Sequence, residues 1–400
     1  MPPFCCSCWH SPSKYALKAH VMNNYSEKGL LPAGLADMLP PAAAAEAAVS
    51  EVLMKVFTSN GYLRVKPPLI EFEDHLLEGA GEALSSKMFR VMDPVSHRMM
   101  GIRTDITPQV ARIATTRMKQ DERPLRLSYT GQVLRVYGTQ LRPERQFTQA
   151  GVELIGSAEI SADAELILLA GEALSRLGID DFSIDLTLPT LMPTICDELG
   201  IDAETTKKAR EALDHKDAAV LAQFGDQLAP ILNALLEAAG PADHALTMLQ
   251  KLVLPEKAAA QVAELATLVG LLGNSAPDLV LTVDPGEFRG FEYQTGISFT
   301  LFARNARGEV GRGGRYHLLD GEAATGFTLF LDSLMRAVPA GVDENRLYLP
   351  FGTSQKIGAD LRAEDWITVA GLSADNKSEK DAKNLGCTHI LIENEIKNIT

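Results

Sequence analysis

Alternating apolar and polar residues predict a pair of strands in the first half of the chain. The runs at residues 127–135 and 145–155 both have the two-residue period of a β-strand, and a polar segment separates them. In the second run, the even-numbered positions from 148 to 154 form an ordinary core face. The odd-numbered positions place Gln149, Gly151 and Glu153 in a row on the other face.

This polar row has two explanations. A half-solvated outer face would produce it, but such a face does not need a glycine in its middle. A glycine between an amide and a carboxylate leaves a gap through which a ligand can approach the backbone. We therefore predict a pocket floor with Gln149 and Glu153 as its polar groups.

Helical periodicity predicts helices on both sides of these strands. An Ala-rich segment at residues 42–59 carries an apolar stripe, and a second helix is predicted at residues 162–177. Between residues 190 and 272 the composition shifts to Ala, Leu, Glu and Lys with helical spacing, which predicts three to five further helices. Shorter runs with strand character occur at residues 62–65, 87–92, 99–103, 182–188, 279–283, 297–303, 346–349, 366–370 and 388–392.

The composition narrows the class of protein. A chain of 400 residues with 46% hydrophobic residues can bury a large core, and its length predicts two or three domains. Its 38 Lys and Arg against 52 Asp and Glu give a formal net charge of −14, which argues against a surface that grips a polyanion. No apolar run approaches the ~20 residues that span a bilayer, and no secretory signal is evident. We therefore predict a cytoplasmic protein without membrane contact.

The five cysteines do not form a regular framework. Cys5, Cys6 and Cys8 cluster at the start of the chain, whereas the other two stand alone. Cys5, Cys8 and His10 resemble half of a zinc site, but no second half follows, so we predict no metal. Residues 1–25 are predicted to be a disordered tail, or an upstream extension before a start at Met22.

Two other segments carry candidate chemistry, and each has a structural explanation as well. Asp105 and Thr107 come just before a predicted helix at residues 109–118. Helix capping alone would explain Thr107, but it is a poorer explanation of a carboxylate at the end of a strand. Arg289 lies next to a glycine that permits a kink, and pairing with Glu292 would explain this arginine without any ligand.

A glycine-rich run occupies residues 311–316. It is a weak candidate for a phosphate cradle, because no helix clearly begins after it.

These segments together resemble a known family. Arg135, a loop, and then Arg145-Gln-Phe-Thr-Gln-Ala-Gly-Val-Glu153 are similar to motif 2 of class II aminoacyl-tRNA synthetases in the histidyl version. The closest likeness is to its paralogues, the regulatory subunits of ATP phosphoribosyltransferase, and it extends in order over roughly residues 28–370. The segments at residues 41–68, 289–294, 313–316 and 325–335 resemble motif 1, the histidyl-specific motif, a Gly-Gly-Arg-Tyr element and motif 3.

The resemblance implies a fold and a domain order. The expected fold is α+β, with a class II synthetase-like antiparallel sheet flanked by helices, a helical insertion and a small C-terminal α/β unit. The expected boundaries are residues 26–188 and 277–340 for the synthetase-like domain, 189–276 for the insertion and 341–400 for the C-terminal unit. The motif 1-like helix at residues 42–59 is expected to form a homodimer.

The resemblance also implies a site for free histidine. Asp105, Thr107 and Gln149 would hold the ammonium group, and Arg135 and Arg289 the carboxylate. Glu153, with Tyr316, would take the imidazole N–H. Tyr293 fits the histidyl-specific motif, whereas Gln294 stands where a second tyrosine is usual. The complete predicted site is Asp105, Thr107, Arg135, Gln149, Glu153, Arg289, Tyr293 and Tyr316.

The groups that handle ATP in the synthetases look incomplete in this sequence. Tyr137 and Gly138 stand where the synthetase loop has Glu and Arg, and Ser333 stands where motif 3 has its arginine. A hydroxyl cannot replace a guanidinium at a triphosphate. The C-terminal tail is short and net acidic, so no tRNA binding is expected.

The resemblance thus implies a regulatory subunit that is not itself an enzyme and needs no cofactor. It would activate the short catalytic subunit of ATP phosphoribosyltransferase in a hetero-oligomer, in the first step of histidine biosynthesis, and sense histidine. The alternatives are an active histidyl-tRNA synthetase, or another class II enzyme that activates an amino acid.

Overall fold

The computed structural model describes residues 29–77, 85–140, 142–288, 293–339, 345–374 and 378–399. The strands in these ranges are β1 (Leu63–Arg64), β2 (Ile70–Phe72), β3 (Arg90–Met92), β4 (Met99–Ile102), β5 (Leu125–Leu134), β6 (Gln146–Ile155), β7 (Phe182–Thr187), β8 (Gly240–Pro241), β9 (Leu281–Asp284), β10 (Ser298–Ala303), β11 (Glu309–His317), β12 (Ala323–Phe330), β13 (Arg346–Leu349), β14 (Ile367–Ala370), β15 (His389–Ile392) and β16 (Glu395–Asn398). The helices are α1 (Ala42–Ser59), α2 (Glu73–Leu77), α3 (Thr107–Thr116), α4 (Ile160–Arg176), α5 (Leu191–Glu198), α6 (Ala203–Asp214), α7 (Ala218–Leu221), α8 (Gly225–Ala238), α9 (Ala242–Leu249), α10 (Glu256–Ser275), α11 (Leu331–Leu334), α12 (Gln355–Ala363) and α13 (Ser378–Asn384).

The main sheet has the order β1-β5-β6-β12-β11-β10-β7-β9-β8. Its six central strands, from β5 to β7, are antiparallel throughout, and parallel pairs occur only towards the edges of the sheet, at β1·β5 and β7·β9. The predicted, mainly antiparallel sheet is therefore confirmed. The two strands predicted at residues 127–135 and 145–155 form the long hairpin β5–β6. Its strands pair over ten residues, from Leu125↔Ile155 to Leu134↔Gln146.

The two faces of this sheet bury different sets of side chains, because successive residues of a strand point to opposite sides. Ala150, Val152 and Leu154 of β6 pack into the larger core, together with α1, α4 and the helices after β7. Phe147 of β6 points to the other side and joins a smaller cluster that includes Tyr129 and residues of α3. The candidate site lies on this second side.

The helical segment between β7 and β9 contains six helices, α5 to α10, instead of the three to five predicted. The prediction was too low because short breaks separate helices that the composition runs together. Asp217 caps the four-residue α7 by accepting from the backbone N–H of Val220. Gly225, with a φ of 77°, then allows the chain to start α8 in a new direction.

The chain divides into two compact units between Val338 and Pro339. In the second unit, β13 to β16 form a four-stranded sheet in the order β14-β13-β15-β16. Leu361 of α12 packs with Leu347 on one face, and Ala382 of α13 packs with Tyr348 on the other. The sequence pattern predicted three of these strands and missed β16, which is short and exposed along its whole length.

Some sequence predictions fall outside the described ranges. The proposed tail at residues 1–25, with Cys5, Cys6 and Cys8, is one of them, and Arg289 is another. Within the described ranges, no helix combines the length and the apolar character needed to cross a membrane. The same ranges contain no group of three or more His, Cys, Asp or Glu side chains arranged to hold a metal ion.

Candidate functional site

A cavity of about 260 Å³ opens over strands β6, β11 and β12 and the start of α3. Polar and charged side chains form most of its wall, and three glycines form part of its floor. The lining residues are Lys87, Asp105, Thr107, Arg135, Arg142, Glu153, Tyr293, Gln294, Arg312, Gly313, Gly314, Tyr316, Gly326, Phe327, Thr328 and Phe330.

Glu153 lines this cavity and is only 1% exposed. Its Oε1 accepts a hydrogen bond from the Thr107 hydroxyl at 2.8 Å, and its Oε2 accepts one from the Tyr316 hydroxyl at 2.8 Å. Burial raises the pKa of Glu153 to about 8, although the two hydroxyl donors act in the opposite direction. A buried carboxyl of this kind favours a ligand that brings a hydrogen-bond donor or a positive charge.

Glycines on the neighbouring strands give Glu153 its space. The register aligns Glu153 of β6 with Gly326 of β12, and Gly326 with Gly314 of β11. A Cβ on Gly326 would lie 1.9 Å from Glu153 Oε2, so the carboxylate fills the space that this missing side chain leaves. A Cβ on Gly314 would lie 2.9 Å from the side-chain oxygen of Gln294.

Gly151 does not have the role that the sequence pattern suggested. A Cβ there would lie 2.5 Å from the Tyr129 hydroxyl oxygen and 2.4 Å from the backbone oxygen of Phe327. The tyrosine ring therefore occupies the gap, and no ligand can reach the backbone through it. The open floor instead comes from glycines of β11 and β12, on strands distant in sequence.

Thr107 was the predicted capping residue of α3, but in the structure Asp105 accepts from the first turn of the helix and Thr107 contacts Glu153. Thr107 is the first residue of α3, and its hydroxyl donates to Glu153 instead of capping the helix. Asp105 Oδ1 accepts from the backbone N–H of Thr107 at 3.0 Å, so the carboxylate stabilises the free N–H groups of the first turn. Asp105 is half-buried and still faces the cavity.

Gln149 lies behind Asp105 and does not line the cavity. It is fully buried, and its Oε1 accepts from the backbone N–H of Ile106 at 3.2 Å. Its Nε2 donates to Asp105 Oδ2 at 3.4 Å. The sequence pattern assigned Gln149 directly to the ligand, whereas the structure makes it a side chain that orients Asp105.

Two tyrosines and an amide form one side wall. The rings of Tyr293 and Tyr316 meet edge to face, with centroids 6.0 Å apart. Burial raises the pKa of both phenols, so both remain neutral hydrogen-bonding groups at physiological pH. Gln294 is 5% exposed, and its Oε1 has no hydrogen-bond partner within the described ranges. A buried acceptor of this kind in a cavity wall favours a ligand that carries a donor.

Three arginines and a lysine bring positive charge to the wall of this cavity. Lys87 and Arg135 both line it, and Arg135 stacks on the Phe147 ring with its guanidinium carbon 4.9 Å from the centroid. Burial lowers the pKa of Arg135 to about 10, which leaves the side chain cationic at neutral pH. Its Nε is buried and finds no hydrogen-bond partner in the part of the chain that the structure describes.

Arg142 fills a position that the sequence did not single out. It comes from the loop between β5 and β6, and it makes a two-pronged ion pair with Asp332 of α11 at 3.0 and 3.1 Å. Its guanidinium carbon lies 4.5 Å from the Phe147 centroid and 4.0 Å from the Phe330 centroid. Ser333, next to Asp332, is buried and is not part of the cavity wall.

The structure brings six of the eight predicted site residues to one cavity. These six are Asp105, Thr107, Arg135, Glu153, Tyr293 and Tyr316. Gln149 lies behind them, and Arg289 lies outside the described residues. Sequence reasoning did not assign Lys87, Arg142, Arg312, Thr328 or Phe330 to the site. Gln294, which also lines the cavity, could have been assigned from the sequence, because it lies in the histidyl-specific motif at residues 289–294. No motif near Lys87 or Arg142 indicated a role for these two residues.

This arrangement is suited to a small zwitterion with a polar ring. Asp105 provides an anion for an ammonium group, and Arg135 provides a cation for a carboxylate. Glu153 and Gln294 provide buried groups for the nitrogens of a side chain.

Comparisons with known proteins agree with this fold and site. Residues 34–334 match the family described as Histidyl-tRNA synthetase. A protein from Paramagnetospirillum magneticum, named ATP phosphoribosyltransferase regulatory subunit, is 56% identical over 370 residues, which cover 92% of this chain and 98% of that protein. A protein of the same name from Rhodospirillum centenum is 53% identical over 371 residues, covering 92% and 96%.

A crystal structure from Bacillus halodurans shares the fold. It is described as an ATP phosphoribosyltransferase regulatory subunit/histidyl-tRNA synthetase, and it aligns with a TM-score of 0.76 at 23% identity over 90% of this chain and 97% of that one. The fold and the matched family thus define a class II synthetase-like protein related to histidyl-tRNA synthetase. At the level of close relatives, the chain belongs to the family of ATP phosphoribosyltransferase regulatory subunits. The resemblance inferred from the motifs is therefore confirmed.

Proposed function

We propose that this chain is the non-catalytic regulatory subunit of an ATP phosphoribosyltransferase, in the first step of histidine biosynthesis, and that its cavity binds free histidine. Its family membership supports the first part. The second part depends on one observation above all. The buried carboxyl of Glu153 lines the same cavity as Arg135, whose Nε has no hydrogen-bond partner among the residues that the structure describes.

The chemistry of histidine fits the side chains that line this cavity. Asp105 would receive the ammonium group, and Arg135 the carboxylate, with Arg289 as a second cation if it reaches the site. The imidazole would lie against Tyr293 and Tyr316 and donate an N–H to Glu153. The main physical cause of the raised pKa of Glu153 is that burial removes the carboxyl from water. A ring nitrogen near Glu153 would provide a hydrogen bond in place of that water.

We propose further that the protein does not activate histidine. A buried Ser333 provides no cation for a triphosphate, and Asp332 is already paired with Arg142. Exchange of pyrophosphate into ATP, with histidine present, is therefore expected to stay at background. Histidine-dependent exchange at a rate typical of a synthetase would instead favour the alternative, an active histidyl-tRNA synthetase or a related amino-acid-activating enzyme.

Titration calorimetry with histidine tests the pocket directly. Glu153→Ala removes the acceptor for the imidazole and should cost roughly 1.5–3 kcal/mol, or about ten- to a hundredfold in affinity. Glu153→Gln keeps the volume and one acceptor oxygen, so its loss should be smaller. Unchanged affinity in Glu153→Ala would remove this residue from the site.

The regulatory role requires a partner and two states. The catalytic subunit of ATP phosphoribosyltransferase is the proposed partner, in a hetero-oligomer in which one state binds histidine more tightly than the other. Mixing the two purified proteins should form a complex, raise the rate of phosphoribosyl-ATP formation and make that rate sensitive to histidine. Failure to co-elute and to change the rate would reject the regulatory assignment. Histidine inhibition that survives both Arg135→Ala and Glu153→Ala would place the sensor elsewhere in the complex.

A homodimer is part of the same proposal, with a change in the expected surface. The apolar side chains of α1, including Leu53 and Phe57, are buried inside the protomer, so this helix cannot offer them to a second copy. Exposed apolar side chains lie instead on β1, on β3 and in the turn between β3 and β4, among them Leu63, Met92 and Val95. We propose that a second copy covers this surface.

Light scattering after size exclusion would test the dimer. Met92→Asp should shift the protein towards a monomer, because the charge would be buried at the proposed contact. Val253→Asp is the matched control, since Val253 is 94% exposed and lies in the helical segment between β7 and β9. Equal masses for both variants would argue against this surface.

The cytoplasmic location and the domain boundaries at residues 188/189, 276/277 and 340/341 remain proposals. So does the absence of tRNA binding, which a filter-binding assay with histidine tRNA would test.

A further inference from the structure

One end of the cavity is filled by a side chain of the protein itself. Phe147 and Phe330 meet edge to face, with ring centroids 6.3 Å apart, and the guanidinium of Arg142 lies against both rings. We call these two rings the aromatic corner. All three side chains are buried, with Arg142 9%, Phe147 5% and Phe330 3% exposed.

The aromatic corner has the chemistry of a nucleotide site. Aromatic faces hold nucleobases by stacking, with little preference for the base. Of the two rings, Phe330 lines the cavity, and so do Lys87 and Arg135, which are both groups that bind phosphate. A guanidinium is planar and also stacks on aromatic rings, so Arg142 takes the place that a base would take.

Hydrogen bonds within the loop between β5 and β6 fix the position of Arg142. Thr139 and Arg142 bond each other twice, through the Thr139 N–H to the Arg142 carbonyl at 2.7 Å and the Arg142 N–H to the Thr139 hydroxyl at 3.0 Å. Gly138 lets the two sides of the loop approach closely, because a Cβ there would lie 2.5 Å from the Pro143 backbone oxygen.

Two ion pairs then attach the loop to the residues after β12. Arg142 pairs with Asp332, and Glu144 pairs with Arg336 at 2.8 Å. The first pair is buried, whereas the second is about one-third exposed. The Arg142 pair is therefore the one that holds the guanidinium against the aromatic corner.

We propose that Arg142 is a specificity-determining residue, which keeps purine nucleotides out of the cavity by placing its own guanidinium on the aromatic corner. The inference rests on the proposed function, because it explains how a cavity that binds free histidine is kept from binding a nucleotide beside it. It adds to that function an active exclusion, beyond the mere loss of phosphate-binding residues.

The test is titration calorimetry of the full chain with AMP and, separately, with histidine. The wild-type protein should show no AMP binding at millimolar concentration, and Arg142→Ala should bind AMP at least tenfold more tightly. Arg142→Met should not gain AMP binding, because its side chain still covers the rings. Glu144→Gln is the matched control, since it breaks the other ion pair of the loop and leaves Arg142 in place.

Asp332→Asn provides a second route to the same answer. It keeps Arg142 but removes the charge of the nearer of its two carboxylate partners, the other being Glu309 at 3.8 Å. AMP binding should therefore appear more weakly than in Arg142→Ala. If Arg142→Ala does not unfold cooperatively, it is not properly folded, and AMP binding by Asp332→Asn is then the result that tests the inference. Equal AMP affinity in wild type, Arg142→Ala and Asp332→Asn, including no binding in any of them, would overturn the inference.

The two titrations separate this inference from the proposed function. Histidine binding with no gain of AMP binding in the variants would leave the histidine pocket standing and reject nucleotide exclusion. AMP binding that appears only in the variants, with histidine binding absent from every protein, would support exclusion by Arg142 and reject the histidine pocket.

Discussion

The two ends of the cavity are held in different ways. At the Glu153 end, the polar groups come from β6, β11 and the first turn of α3, and their positions follow from strand register and short hydrogen bonds. At the Arg142 end, a loop side chain lies on two rings and is held by a buried ion pair with Asp332 and a longer one, of 3.8 Å, with Glu309. A change at the first end should therefore alter the pH dependence of folding as well as binding. A change at the second end breaks a buried ion pair, so it should lower stability without altering that pH dependence.

The largest expected difference is the effect of pH. The pKa of Glu153 in the folded protein is about 8, above its ordinary value of 4.5, because the carboxyl is buried. The folded state thus holds this proton more tightly than the unfolded chain, and the free energy of unfolding should fall as the pH rises from about 4.5 to 8. At about 1.4 kcal/mol per pKa unit the total is at most about 5 kcal/mol.

Urea unfolding at a series of pH values would measure this effect. Glu153→Gln cannot titrate, so the difference between wild type and variant isolates the contribution of this one group. Parallel pH profiles for the two proteins would show that Glu153 has an ordinary pKa. Unfolding of Arg142→Met, at the other end, should follow the wild-type profile.

The second effect concerns the support beneath the Glu153 end. Arg315, next to Tyr316 on β11, forms an ion pair of 2.5 Å with Asp163 of α4, and both side chains are largely buried. Asp163→Ala would leave the guanidinium without its carboxylate, which typically costs about 3–5 kcal/mol. Chemical denaturation would measure the loss. A change below about 1 kcal/mol would mean that the two backbone carbonyls which Arg315 also contacts are sufficient.

The third effect tests the glycine floor. Gly326→Ala places a Cβ against the Glu153 carboxylate and 2.8 Å from the Val152 backbone oxygen. Overpacking of this kind usually costs about 1–3 kcal/mol, and it should also weaken histidine binding by displacing Glu153. Gly270→Ala is a control, because a Cβ at Gly270 of α10 would meet nothing within 4 Å. Equal stability of the two variants would show that β6 and β12 can move apart.

The smallest effect is expected at the outer ion pair of the loop. Glu144→Gln breaks a partly exposed pair with Arg336, and such pairs contribute about 0–1 kcal/mol. Neither stability nor histidine affinity should change by more than about 1 kcal/mol. A larger loss of affinity would show that the whole loop, and not Arg142 alone, shapes the cavity wall beside the aromatic corner.

The hydrophobic pattern and a few motifs were enough to predict much of this protein. The two-residue period of β6 predicted that Glu153 would face away from the larger core, and that prediction is confirmed by the packing of Val152 and Leu154. The helix at residues 42–59 was predicted with the bounds of α1. These features depend on neighbours in sequence. The motifs identified the family, and the family in turn implied the fold.

Tertiary structure decided what lies beside each of these residues. Gly151 has the same neighbours in sequence whether its gap admits a ligand or a tyrosine, and only the packing of β5 on β6 places Tyr129 in that gap. Asp105 and Thr107 divide capping and site roles according to where Glu153 lies, 46 residues beyond Thr107. Arg142 and Asp332 are 190 residues apart, and no local pattern predicts that a loop and a helix start will meet at the aromatic corner. Local propensity sets the elements, but contacts between distant strands and loops decide which side chains reach a cavity and which of them fill it.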